Sequence, residues 1–139
     1  MYRGASLNDK NNHIMKRIIH TSSAPKAIGP YSQAVELNGM LFVSGQIPLD
    51  LATGKIVEGG ITEQTEQVMR NIGAILNEAG YGFKDVVKST CLLSDMDNFA
   101  AMNAVYGKYY PENAPARAAY GVVKLPLGAL IEIETIALK

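Results

Sequence analysis

Residues 130–138 read Leu130-Ile131-Glu132-Ile133-Glu134-Thr135-Ile136-Ala137-Leu138. Alternation with a period of two predicts a β-strand with Leu130, Glu132, Glu134 and Ile136 on one face and Ile131, Ile133, Thr135 and Ala137 on the other. If the second set meets helices, both glutamates point into a partner interface or a cleft within it. A second strand is expected over Ala116 to Val123, and it carries Arg117 inside an otherwise apolar run. Charged side chains are rarely buried unless they are paired, so Arg117 and Glu132 imply a structural ion pair or a lined pocket. In a pocket they suit a small carboxylate: the guanidinium grips the acid with two parallel hydrogen bonds, and the neighbouring carboxylate moves a proton. Read from the residues alone, an interfacial salt bridge is the more ordinary meaning of such a pair.

Further upstream, Ser32 to Leu37 and Met40 to Gln46 are β-prone runs joined by Asn38-Gly39, the sequence of a two-residue type I′ hairpin. Met40-Leu41-Phe42-Val43 is apolar on both faces, which calls for helices on one side and an equally dry cover, such as another subunit, on the other. Ser44-Gly45 ends this run, and the glycine marks either a bulge or the close approach of a ligand or another backbone. An apolar stripe of Val68, Met69, Ile72, Ile75, Leu76 and Ala79 predicts a helix over Thr62 to Ala79, capped by Thr62 and stopped by Gly80. Val86 to Leu93 reads as a strand, and Asn98 to Tyr110 as a second helix with Phe99, Met102, Tyr106 and Tyr109 on one face. With a short β-like segment at Met15 to Thr21, the order is β, β, β, α, β, α, β, β. This is an α+β pattern: a mixed β-sheet with two helices packed on one face.

The chain has 139 residues, 47% hydrophobic and 19% charged, with thirteen basic and thirteen acidic side chains. Such a composition fits one domain, over residues 15–139, preceded by a loose polar extension over residues 1–14. Nucleic acid is not an expected partner, because the basic residues form no stripe. One cysteine, Cys91, excludes an intramolecular disulfide and fits a reducing, cytoplasmic setting. No apolar run has membrane-spanning length, and no signal-peptide core is expected. His13, His20 and Cys91 form no zinc spacing, so neither a metal nor another cofactor is expected. Cys91 reads as a buried inert thiol.

Several separated segments, in order, resemble the Rid family (reactive intermediate deaminases, RidA type, formerly YjgF-like). They are Ala27-Ile28-Gly29-Pro30-Tyr31-Ser32-Gln33-Ala34, Ser44-Gly45-Gln46-Ile47-Pro48, Asp95 to Tyr106, Pro115-Ala116-Arg117, and Leu125-Pro126 with Ile131-Glu132-Ile133-Glu134. The resemblance implies a chorismate-mutase-like fold assembled as a homotrimer with inter-subunit clefts. It also implies hydrolysis of 2-imino acids (2-iminobutanoate, 2-iminopropanoate), formed from enamines released by dehydratases, to 2-oxo acids and ammonia, without metal or organic cofactor. By matched position, Arg117 would bind the substrate carboxylate, Glu132 would activate water, and Tyr31, Ser44, Gly45 and Asn103 would shape the cleft.

Ala119 departs from the pattern, since many members carry a cysteine there. A thiol is therefore not required, although the backbone N–H at Ala119 remains as a substrate contact. From the residues alone, Tyr31 serves equally as a packed tyrosine, and Asn103 reads as an exposed or capping helix residue. A competing reading is a 2-oxo acid or metabolite-binding regulator without significant turnover.

Overall fold

The computed structural model describes residues 15–139. The loose extension expected over residues 1–14 lies outside them. Eight regular elements follow the expected order: β1 (Arg17–Ile19), β2 (Ala34–Leu37), β3 (Met40–Gln46), α1 (Ile61–Ala79), β4 (Val86–Leu93), α2 (Phe99–Tyr109), β5 (Ala116–Gly121) and β6 (Ile131–Leu138). The strands form one sheet in the order β1-β2-β3-β6-β4-β5. All neighbours are antiparallel except β4 and β5, which run parallel because α2 carries the chain across between them.

Asn38 and Gly39 have φ of 50° and 77°, and Leu37 pairs directly with Met40, so the hairpin turns in two residues as their chemistry dictates. Further along β3 the register with β6 slips between Val43 and Gln46: three steps on β3 face two on β6. This bulge falls at Ser44-Gly45 and bends the strand where the chain leaves the sheet.

Both helices pack on one face. Ile72, Ile75, Leu76 and Met69 of α1 and Met102 of α2 close over Leu41, Cys91, Leu93, Ile131 and Ile133, all buried. Glu132 and Glu134 lie on the opposite face, as the period of two in β6 requires. On that face Ile18, Met40, Phe42 and Leu138 remain exposed, with Phe42 at 43%. The described residues therefore cover only one of the two apolar faces of β3.

The cap of α1 differs from expectation. Thr62 lies exposed in the first turn, and the helix begins at Gly60, whose N–H donates to the Glu63 carboxylate at 2.9 Å. A hydrogen bond from its own backbone and, secondarily, the one from Gly60 lower the Glu63 pKa. A carboxylate reaching back from the third position satisfies the donor of the N-cap residue, and Thr62, already inside the first turn, takes no capping role. Gly80, at φ 83°, ends the helix as expected.

Candidate active site

Two loops frame a cleft at the end of β3, and buried amides hold both. Gln33 accepts from Thr21 N–H at 2.7 Å and donates to Thr21 O at 3.0 Å and Pro25 O at 2.9 Å, fixing the segment before β2. Asn71 of α1 donates to Leu49 O at 3.1 Å and Ile47 O at 3.3 Å, fixing the segment after β3. The cleft between them has a volume of about 670 Å³. Tyr31, Ser44, Gly45, Glu132 and Glu134 line it, with Ile28, Ile47 and Leu127 as apolar walls.

Glu132 is half-buried, and Gly45 explains how its carboxylate fits. A Cβ at residue 45 would overlap Glu132 Oε1 and stand 3.0 Å from Cδ. The glycine therefore serves both as part of a bulge and as clearance for the carboxylate. Burial, and secondarily the charge of Glu134, raise the Glu132 pKa, which brings this group toward the range useful for moving protons near neutrality. Ser44 donates from Oγ to Ser32 O at 2.5 Å and from N–H to Gln33 O at 2.9 Å, so it ties the bulge to the preceding loop. Tyr31, half exposed, accepts from Ile28 N–H at 3.3 Å and faces the cleft.

Arg117 is elsewhere. It pairs in register with Ser89 of β4, which in turn faces Thr135 of β6. Ser89 and Thr135 are buried on the helix side, with Ser89 Oγ and Thr135 Oγ1 3.2 Å apart. Glu132 stands three residues from Thr135, an odd step, so it and Arg117 project from opposite faces of the sheet. A single chain does not bring the expected pair together, and among the described residues no salt bridge involves Arg117.

Arg117 instead gathers with Asn103 and Ala119. Its Nη1 donates to Asn103 Oδ1 at 2.7 Å, so Asn103 is neither a cap nor a free surface residue. Ala119 pairs with Cys91 two positions further along the same face. Cys91 is fully buried, and desolvation pushes its thiol up to about 11, partly offset by the nearby Arg117 charge. The expectation of an inert thiol agrees with this environment. The residues that the sequence reading placed only as packing, Phe99 and Tyr106, stack against the guanidinium. Their spacing with Asn103 on α2 was the available signal.

Among the described residues, no group of three His, Cys, Asp or Glu side chains is placed to hold a metal, and no helix is long and apolar enough to cross a membrane.

Comparison with known proteins follows the same lines. The family model described as Endoribonuclease L-PSP matches residues 21–139. The chain is 47% identical over 126 residues to the 2-iminobutanoate/2-iminopropanoate deaminase of Homo sapiens, covering 91% of this chain and 92% of that protein. A Rid family protein from Yersinia pestis, of unknown function, has the same fold at a TM-score of 0.88 and 45% identity, with 90% of this chain and all of that one matched (100%). The structure of E. coli TdcF with bound serine superposes at a TM-score of 0.83 and 38% identity, over 88% of this chain and 98% of that one.

Proposed function

The chain belongs to the Rid (YjgF/RidA) family, and from that premise we propose that it hydrolyses reactive 2-imino acids, such as 2-iminobutanoate and 2-iminopropanoate, to 2-oxo acids and ammonia. The observation that carries this reading is the division of the site. A proton-carrying carboxylate lies in a cleft on one face, and a cation without a carboxylate partner among the described residues lies at the edge of the other. Each is half of an imino-acid site, and a second copy of the chain supplies the missing half. Residues 15–139 form one Rid-type domain, three copies assemble through the uncovered sheet face, and a cleft at each boundary joins Glu132 of one subunit to Arg117 of the next. The exposed apolar residues Ile18, Met40, Phe42 and Leu138 fit such burial. A reducing cytoplasmic setting fits the single buried thiol.

In the proposed reaction Arg117 holds the substrate carboxylate through paired hydrogen bonds and polarises the adjacent C=N carbon. Glu132 takes a proton from water as the water oxygen bonds to that carbon. It then gives the proton to nitrogen. Glu132 next takes the proton of the new hydroxyl and passes it to the nitrogen, so the C–N bond breaks, the carbonyl forms, ammonia leaves and Glu132 is again ionised. Tyr31 and the Ala119 backbone N–H complete the substrate's hydrogen bonds, while Ser44 and Gly45 keep the bulge that clears space for Glu132. Atoms balance with water alone, so no cofactor is needed. Human and E. coli relatives, one named for this activity and one holding serine, an amino acid with the same carboxylate, support the substrate class.

The test uses two variants in a dehydratase-coupled assay with several amino acids. Arg117→Ala and Glu132→Gln proteins are each expected to be inactive, whereas unfolding and reassembling them together in equal amounts restores activity at about a quarter of the sites. Full activity in Glu132→Gln, or no recovery in mixed assemblies of confirmed composition, overturns the reading. Binding of 2-oxobutanoate without accelerated ammonia release would indicate a regulatory binding protein instead.

A further inference from the structure

Helix α2 carries Phe99, Asn103 and Tyr106 on one face, spaced four and three residues apart, and all three meet Arg117. The guanidinium carbon lies 5.4 Å from the centre of the Phe99 ring and 5.0 Å from that of Tyr106. Asn103 adds a hydrogen bond of 2.7 Å to Nη1. All three partners are neutral. Elsewhere among the described residues, ion pairs form between Arg17 and Glu36 and between Lys108 and Glu66. The surroundings of Arg117 thus orient its cation without compensating the charge.

Both properties matter for anion capture. A free arginine side chain loses rotamer freedom when it grips a ligand, and prior immobilisation removes that loss from the binding step. Aromatic faces attract a cation through their quadrupole while adding no formal charge. The amide oxygen of Asn103 occupies one of five guanidinium N–H donors, so the others remain available for a carboxylate. An acidic residue in place of Asn103 would hold the arginine at least as firmly, but an incoming anion would then meet a neutralised pair.

We propose that Phe99, Asn103 and Tyr106 are positioning residues that form a neutral cradle, fixing the Arg117 fork in advance and reserving its charge for the substrate carboxylate. This rests on the reading of Arg117 as the carboxylate receptor. Tyr106 packs into the core and Phe99 lies nearer the surface, so the two rings hold the guanidinium from the inside and the outside.

The decisive comparison is Asn103→Asp, which preserves the side-chain geometry and changes its charge. It is expected to retain or raise thermal stability, yet to raise KM for the imine, and Kd for 2-oxobutanoate by calorimetry, about tenfold with little change in kcat. Phe99→Leu, which keeps an apolar side chain but removes the ring, raises both about threefold, and Phe99→Tyr restores them. A purely structural role would move stability rather than produce this split. Wild-type KM and Kd in Asn103→Asp overturn the charge argument.

NMR of the Arg117 Nε–Hε group separates this idea from the proposed function. A ring-shifted, slowly exchanging signal is expected in the wild type and lost in Phe99→Leu; its unchanged persistence there overturns the cradle. Wild-type protein that neither turns over the imine nor binds 2-oxobutanoate, while showing the ordered signal, instead defeats the substrate assignment and keeps the cradle.

Discussion

The carboxylate of Glu132 occupies the space where a side chain on residue 45 would begin. Gly45 has no left-handed backbone angle to preserve, so an alanine there strains chiefly the Glu132 side chain that it meets. Glu132 can swing aside into the open cleft. Gly45→Ala is expected to change unfolding free energy by less than about 1 kcal/mol, while misplacing the reacting group by about 1 Å lowers kcat/KM about 100-fold. Denaturant titration and the coupled imine assay measure the two effects separately.

Activity should depend on the ionised form of Glu132. Its pKa, raised within one chain and opposed by the Arg117 charge across the proposed boundary, sets the pH below which kcat/KM falls. Burial is the first cause and the Glu134 charge the second. Glu134→Gln removes the second, so the acid limb of the profile moves to lower pH. A limb that stays in place, or moves upward, contradicts the assignment.

In the dissociated chain, away from a second copy's Arg117, the same shift has a consequence for stability. Glu132 binds its proton more tightly folded than unfolded, so the folded state carries more protons between the unfolded pKa and the raised folded one. Stability is therefore lost as pH rises through that window. Glu132→Gln cannot ionise and escapes the loss. Its melting temperature is expected to match the wild type below the window and exceed it above, as scanning calorimetry at several pH values would reveal.

Cys91 should behave as an apolar core atom. With its pKa pushed up to about 11, about one thiol in a thousand is ionised at pH 8, and burial blocks access even to that fraction. A thiol-specific chromogenic reagent is expected to react only at the rate of unfolding. Cys91→Ala should keep imine turnover, and a large loss of kcat there would assign the sulfur a part in the chemistry.

Much of the architecture was readable locally. β3 and β4 match their expected bounds, and the hairpin follows from Asn38-Gly39 because both residues tolerate a positive φ angle cheaply. The direction of Glu132 follows from the period of β6. The direction of Arg117 relative to it does not. That relation depends on the parallel register of β5 on β4, which the whole α2 crossover sets and no short pattern records. For the same reason the Asn103–Arg117 hydrogen bond was hidden: its partners are neighbours only after the helix has docked on the sheet. The start of α1 was misplaced because Gly60 serves as the N-cap, held by its N–H donating to Glu63, which puts Thr62 inside the first turn.

The link over residues 110–115 carries an unusual restriction on length. Surface connections commonly accept insertions, but this one joins the helix that holds the guanidinium to the strand that presents it. One added residue absorbed into the strand would turn Arg117 to the other side of the sheet. The exposed turn at Leu51–Gly54 joins no such pair. Circular permutants and loop grafts should therefore be opened at that turn, with the helix-to-strand link kept at its native length.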